Sequence, residues 1–253
     1  MFTTIRQTMK RILSEKKNEL LHYLESYLPI KKPHLAHQGI QRSGTNYLSV
    51  LLKKRGYFVV NRTDPKRNHP AHKHFRWQKN KDGILLDRQY VNKLIADNIG
   101  ELNKLSGHRS ATKHVIIFKE PKAWLCSINR WAVENNWESY YSTKKNVWLK
   151  NVFLEWDAYY AVWQHYQEDT PSQVLIINFE DLINNNRPVL RKVDNFMELE
   201  NHGGEELFEM SSVPKSPMGL RINLKQDILD YQAFCEGGEF EWRSYLLDPI
   251  SSD

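Results

Sequence analysis

Residues 39–46 read Gly39-Ile40-Gln41-Arg42-Ser43-Gly44-Thr45-Asn46, the frame of a phosphate-binding turn with its chemistry altered. A G-x-x-x-x-G-K-[ST] loop cradles phosphates with backbone N–H groups, sets its lysine on the outer phosphates and holds magnesium with its last hydroxyl. Here Thr45 stands in the lysine position and Asn46 in the hydroxyl position. The positive charge has moved inside the turn, to Arg42. The frame therefore predicts a phosphorylated ligand bound without metal-assisted ATP hydrolysis.

The flanks of the turn carry the fold reading. His34 to Ile40 is short, partly apolar and follows Pro33, which predicts a buried strand. Tyr47, Leu48, Val50, Leu51 and Leu52 recur at helical spacing, and Gly56 offers a stop. Strand, tight turn and helix together aim free N–H groups and the positive end of a helix dipole at an anion. An ordinary strand-to-helix turn capped by Ser43 or Thr45 would have similar flanks, so the turn needs its context.

That context is a series of short, continuous apolar runs: Tyr57 to Asn61, His114 to Phe118 and Val174 to Phe179. Continuous rather than alternating runs predict parallel strands buried on both faces. Helical patterns at Ala123 to Glu134 and Val147 to Glu168 separate the last two. The expected fold is α/β: a single domain with a parallel central sheet flanked by helices, resembling P-loop nucleotide-binding proteins. Ligands of such sheets bind beyond the carboxyl ends of the strands.

Domain organisation follows from length and pattern. A chain of 253 residues suits one large α/β domain, here expected over residues 31–253. Residues 1–30 form an amphipathic helical pattern, with Ile5, Met9, Ile12, Leu13, Leu20, Leu21, Leu24 and Leu28 mostly on one face and Pro29 ending it. Its expected partner is the domain or a second subunit, because its apolar residues are mostly aliphatic and lack interfacial tryptophans. No stretch approaches the roughly 20 apolar residues of a membrane span, and no secretory h-region is visible. Cys126 and Cys235 lie far apart, with no zinc-site or disulfide spacing. A soluble, cytoplasmic protein in a reducing compartment is the expectation.

The net charge of +6 conceals an asymmetry. Residues 194–253 hold 13 acidic and 4 basic side chains, a balance of −9, so residues 1–193 carry +15. Excess positive charge around the turn implies an anionic ligand: a nucleotide, a nucleic acid or an acidic glycan. The segment from Arg62 to Arg88 is polar, basic and histidine-rich, with Pro65, Pro70 and Gly83 as breakers. A long polar segment of that kind inside a domain is usually functional or mobile.

Two more motifs follow strands. After Phe118 comes Lys119-Glu120-Pro121-Lys122 and then a helix containing Ser127, so a basic residue and a hydroxyl can converge on one phosphate. After the later strand comes Asn178-Phe179-Glu180-Asp181-Leu182, where the aromatic can pack against a purine. Trp124, Trp131, Trp148, Trp156 and Trp163 fall in helical patterns and are expected in the core or between helices. Trp77, in the basic loop, is the tryptophan expected to meet a ligand, stacking on a sugar ring of an acceptor.

Gln41 to Tyr47 resembles the 5′-phosphosulfate loop of the sulfotransferases that use 3′-phosphoadenosine 5′-phosphosulfate (PAPS), in which a basic residue precedes Ser-Gly-Thr and an aromatic often follows. Phe118 to Ser127 resembles the family's 3′-phosphate motif, Arg-Asp-Pro-Arg and then a helical serine eight residues after the first arginine. Val174 to Leu182, with Phe196 beyond, resembles its later strand-Tyr-Glu-Asp-Leu-helix-Phe-Leu pattern. The three motifs keep the family's order and span residues 34 to 199.

The resemblance implies roles for particular residues. Arg42 corresponds to the loop lysine that stabilises charge on the bridging oxygen as sulfate departs. Gly44, Thr45 and Asn46 would wrap the 5′-phosphate, with Ser43 and Tyr47 completing the cofactor-binding loop. Lys119 and Ser127 would hold the 3′-phosphate, and Phe179 would stand where the family has a tyrosine near the adenine. Lys119 replaces arginine and loses a bidentate fork, and Glu120 replaces aspartate. The family's Lys-x-His element, whose histidine is the general base, has its counterpart in His72-Lys73-His74-Phe75-Arg76. His74 after Lys73 is the expected base, with His72 and His69, or a carboxylate such as Asp64 or Glu120, as alternatives. A late basic, glycine-containing loop common in the family has only Lys215, Arg221 and Lys225, around Pro217-Met218-Gly219, as candidates.

The function these motifs imply is in-line transfer of a sulfuryl group from PAPS to a hydroxyl or amine, without metal, with a glycan as a candidate acceptor. Two other classes compete. A P-loop nucleotide kinase is disfavoured by Thr45 and Asn46. A nucleic-acid-binding module would use the basic face non-catalytically, though polynucleotide is not the expected partner.

Overall fold

The computed structural model describes residues 34–57, 59–61, 73–77, 95–106, 108, 111–137, 141, 142 and 144–198, together with 12, 13, 16, 17 and 20. The elements run β1 (Leu35–Gln38), α1 (Thr45–Lys54), β2 (Arg76–Trp77), β3 (Ile95–Ala96), α2 (Ile99–Ser106), β4 (Lys113–Phe118), α3 (Pro121–Glu134), α4 (Lys145–Asp169), β5 (Val174–Asn178), α5 (Phe179–Asn184) and α6 (Asn186–Phe196). The main sheet is parallel, in the order β1-β4-β5. Leu35 pairs with Lys113 and His114 with Val174 at the sheet's start, and Phe118 with Asn178 at its carboxyl end.

Because side chains alternate along a strand, β4 feeds two separate cores. Val115 and Ile117 join Leu35, Leu175 and Ile177 beneath Leu48, Leu51, Leu182, Val189 and Val193 of α1, α5 and α6. Ile116 and Phe118 join Val174 and Ile176 beneath Leu102, Trp124, Ile128, Trp156, Tyr160 and Trp163 of α2, α3 and α4. Helices thus cover both faces, which is why the strands read as unbroken apolar runs. The α/β architecture matches the expectation.

Local chemistry explains where elements start and stop. Helix α1 ends with Lys53 and Lys54 in its last turn, and Gly56 takes a φ of 87° that suits glycine alone. Pro121 opens α3 at a position where its missing N–H costs nothing. The Asn178 side chain accepts from the Glu180 N–H at 2.8 Å, so Phe179 begins α5 instead of ending the strand.

Among the described residues of the run from Tyr57 to Asn61, Val59 alone bridges, to Leu35, and Asn61 then substitutes its side chain for the ladder. Its Oδ1 accepts the His37 N–H at 3.0 Å and its Nδ2 donates to the His37 carbonyl at 2.7 Å. A carboxamide presents the same donor and acceptor as a peptide group, so it satisfies both backbone groups of His37.

The described part of the basic segment includes a short strand. Residues 76 and 77 form β2, which pairs in parallel with Ile95 and Ala96. Trp77 is not at a ligand surface: it is 1% exposed, with its ring 4.7 Å from Phe75 and 4.9 Å from Trp163. Aromatic packing against α4 outcompetes exposure of so large an apolar surface. Helix α2 was not foreseen, although its start is written in Asn98-x-x-Glu101. Asn98 Oδ1 accepts the Glu101 N–H at 2.8 Å and the Glu101 carboxylate accepts the Asp97 N–H at 2.6 Å.

A polar cluster ties α1 to α6. Arg55 Nη2 lies 2.5 Å from Asp194 Oδ2, and the Tyr57 hydroxyl donates to Asp194 Oδ1. Burial and the adjacent carboxylate hold the Tyr57 phenol far above its usual range. Near the N-terminus, residues 12, 13, 16, 17 and 20 are helical, and Ile12, Leu13 and Leu20 are exposed. The rest of the N-terminal pattern, and Cys235, lie outside the described residues. No helix among the described residues is long and apolar enough to cross a membrane.

Candidate functional site

The turn between β1 and α1 lies at the carboxyl end of the sheet, where its neighbours β4 and β5 also end. Two residues in it take left-handed backbone: Arg42 at φ 69° and Gly44 at φ 95°. Any Cβ at Gly44 would come within 2.4 Å of the Phe179 ring. A Cβ at Gly39 would meet Ser43 Oγ at 2.5 Å and Ile117 Cγ2 at 2.9 Å. Both glycines are therefore required by close approach.

Gly44 is the N-cap of α1 and has no side chain to cap it, and the first turn contains no acidic residue. The Ser43 hydroxyl, an expected cap, donates instead to the Ile40 carbonyl at 2.7 Å and tightens the turn from within. Thr45 is buried with its methyl toward Gly39. The opening N–H groups of α1 are thus left without a capping side chain, and the helix dipole concentrates partial positive charge there.

Lys73 and His74 clasp the turn at both ends. The Gly39 N–H donates to the Lys73 carbonyl at 3.2 Å, and His74 Nδ1 lies 2.6 Å from the Gly39 carbonyl. A carbonyl can only accept, so Nδ1 carries the proton and Nε2 carries the lone pair in the neutral ring. At the other end, Lys73 Nζ donates to Asn46 Oδ1 at 2.6 Å. This places an ammonium beside the position where a nucleotide triphosphatase would hold magnesium.

Helix α3 grips the middle of the turn. Trp124 Nε1 donates to the Gln41 carbonyl at 2.7 Å, and Arg42 Nε donates to Ser127 Oγ at 3.3 Å. The Arg42 guanidinium carbon sits 4.8 Å from the centre of the Trp131 ring. Tyr160 of α4 braces the entry: its hydroxyl donates to the Ile117 carbonyl at 2.8 Å and accepts the Ile40 N–H at 3.5 Å.

Lys119 follows β4 and is 5% exposed, with its Nζ 5.1 Å from the centre of the Phe179 ring. Phe179 is itself buried, backing Gly44 and carrying Lys119. The structure therefore unites Ser127 with Arg42, and Lys119 with Phe179. Tyr47 turns into the core formed by α1, α5 and α6. His69, His72, Asp64, Lys215, Arg221 and Lys225 lie outside the described residues.

Glu180 adds a carboxyl to which the sequence pattern assigns no role. Its Oε2 accepts the Glu120 N–H at 3.4 Å, while Oε1 is buried without a hydrogen-bond partner. Desolvation pushes its carboxyl up to about 7, against the pull of two backbone N–H groups and Lys119 and with added repulsion from Glu120. The folded state thus holds a proton that the unfolded chain releases near 4.5. Stability from this group is full below the unfolded value and falls as pH rises toward 7. Glu180→Gln should match the parent in melting temperature near pH 4.5 and exceed it at pH 8, by a free energy of roughly 3 kcal/mol. Parallel thermal melts across that range check it; a difference independent of pH would contradict the assignment.

Trp131 and Trp124, helix-packing residues by their periodicity, also contact the turn. The signal lay in spacing: positions 124, 127 and 131 share one face of a helix, and Ser127 had already been assigned to the ligand side.

No protein-family model matches the chain, and no curated protein matches it.

Proposed function

We propose that the chain is a sulfotransferase that takes a sulfuryl group from PAPS and delivers it to a hydroxyl or amine of an acceptor. The observation that carries this reading is the double clasp on the turn: Lys73-His74 engages Gly39 at one end and Asn46 at the other. An uncapped helix start, a nearby ammonium and a histidine of defined tautomer supply the positioning and charge stabilisation on which metal-free in-line transfer draws. The donor supplies an activated sulfuryl group on a phosphate oxygen.

In this reading the N–H groups opening α1 receive the 5′-phosphate. Lys119 and Ser127 receive the 3′-phosphate. His74 Nε2 removes the proton of the acceptor as its oxygen or nitrogen attacks sulfur, and the bond from sulfur to the phosphate oxygen breaks. Lys73 and Arg42 stabilise the charge that gathers on that departing oxygen. The proton ends on His74 and the products are a sulfated acceptor and the 3′,5′-bisphosphate nucleotide. The basic chain around the site suits a glycan as acceptor. A kinase reading is weaker, because Asn46 Oδ1 is already engaged by an ammonium.

Adenosine 3′,5′-bisphosphate should raise the melting temperature well beyond the shift produced by 5′-AMP, through preferential binding to the native state. Lys119→Ala should weaken the bisphosphate by roughly 1.5 to 3 kcal/mol, the range for a charge-assisted contact, and leave 5′-AMP nearly unaffected. Calorimetric titration of both nucleotides into both proteins measures this. Equal stabilisation by the two nucleotides would remove the 3′-phosphate site. Transfer of labelled sulfate from PAPS to a panel of glycans, phenols and lipids then identifies the acceptor.

A further inference from the structure

We infer that Trp131 is the positioning residue for Arg42, a guanidinium platform on α3 that fixes where the loop cation stands. The contact joins three observations. The guanidinium carbon lies 4.8 Å from the indole centre, inside the roughly 6 Å reach of a cation–π interaction. Trp131 is only partly buried and packs against the core of α2, α3 and α4, so the platform is anchored. Arg42 itself has a left-handed φ of 69°, a conformation that a non-glycine residue keeps only when its surroundings over-determine it.

The surroundings that do so lie on one face of α3. Trp124 fixes the Gln41 carbonyl, Ser127 accepts from Arg42 Nε, and the Trp131 ring lies beneath the guanidinium carbon. The hydrogen bond fixes one nitrogen; the indole holds the guanidinium carbon over its ring. An arginine exploits such a platform better than a lysine, because its flat, weakly hydrated cation stacks where a hydrated ammonium does not. The residue types at positions 42 and 131 therefore belong together. Trp131 acts through Arg42 and is not assigned contact with the reacting atoms.

The kinetic consequences rest on the sulfuryl-transfer reading, and the spectroscopic ones do not. Trp131→Leu should lower kcat about tenfold, the scale of a partly desolvated cation–π contact, with the KM for PAPS within about twofold. Trp131→Phe, which keeps a π face, should recover most of that loss. In an Arg42→Ala background, Trp131→Leu should cost nothing further, since the group it positions is gone. An undiminished tenfold loss in that background would make Trp131 a packing residue and overturn the proposal, as would Trp131→Phe being no better than Trp131→Leu.

The second arm needs no turnover. Arg42→Ala should alter the tryptophan emission of the otherwise native protein and leave that of Trp131→Phe unchanged. Equal changes in both backgrounds, or none in either, would overturn the proposal. A chain that transfers no sulfate yet passes the emission test refutes the proposed reaction and retains the platform.

Discussion

His74→Ala should cut sulfuryl transfer by about 10²-fold or more, the usual scale for losing a general base, while binding of adenosine 3′,5′-bisphosphate stays within about twofold. The ring is held through Nδ1 on the Gly39 carbonyl, so removal leaves a carbonyl that water can serve and a turn still fixed by the Gly39–Lys73 backbone bond. The loss should therefore fall on kcat. Single-turnover transfer of labelled sulfate, with nucleotide titration alongside, separates the two quantities. His74→Gln, which can still donate to Gly39, tests position against basicity: near-normal transfer in that variant would show that His74 holds the loop and that another group takes the proton. His72→Ala and Asp64→Ala would then be the variants to compare.

Asp194→Ala should destabilise the fold by about 3 to 5 kcal/mol, the cost of leaving one member of a buried ion pair alone. Asp194 takes the Arg55 guanidinium and the Tyr57 hydroxyl together, and the side chains of Arg55 and Asp194 are only 14% and 9% exposed. Removing the carboxylate takes a shared acceptor from both donors at the junction of α1 and α6. Denaturant unfolding measures the loss. An Arg55→Met, Asp194→Leu double variant should recover much of it, because apolar groups can replace a buried pair at little cost. A loss below about 1 kcal/mol for Asp194→Ala would mean that the pair behaves as a solvent-screened surface pair.

The fold was legible in the sequence wherever one interaction dominated. Strands β4 and β5 are buried on both faces, so apolar continuity alone located them to within a residue. Helices α3 and α4 declared themselves by periodicity. Val59 makes an isolated bridge instead of a ladder because Asn61 offers His37 of β1 a side-chain substitute, a choice that depends on the third dimension. Helix α2 escaped notice because it is short and follows a polar segment, although its Asn98-Glu101 cap was readable.

The site divides in the same way. Order along the chain set the loop, Lys119 and Ser127 just after strands, toward the sheet's carboxyl end, while only the family resemblance singled out Lys73-His74. Sequence could not pair them. Arg42 reaches Ser127 because the turn is left-handed at residue 42, and Lys73 reaches Asn46 because His74 has already docked the segment on Gly39. Trp77 was misplaced for a related reason: a tryptophan amid basic residues reads as a surface group until Trp163 and Phe75 are seen to enclose it.

The Asn61 carboxamide has a further consequence for the behaviour of the protein at high concentration. An outer strand with bare N–H and C=O groups is a template on which another polypeptide can assemble, the first step toward aggregates and fibres. At His37 both groups are already occupied by Asn61, so an incoming strand finds no vacant rung there. At that rung the Asn61 side chain closes the backbone of β1 to further pairing.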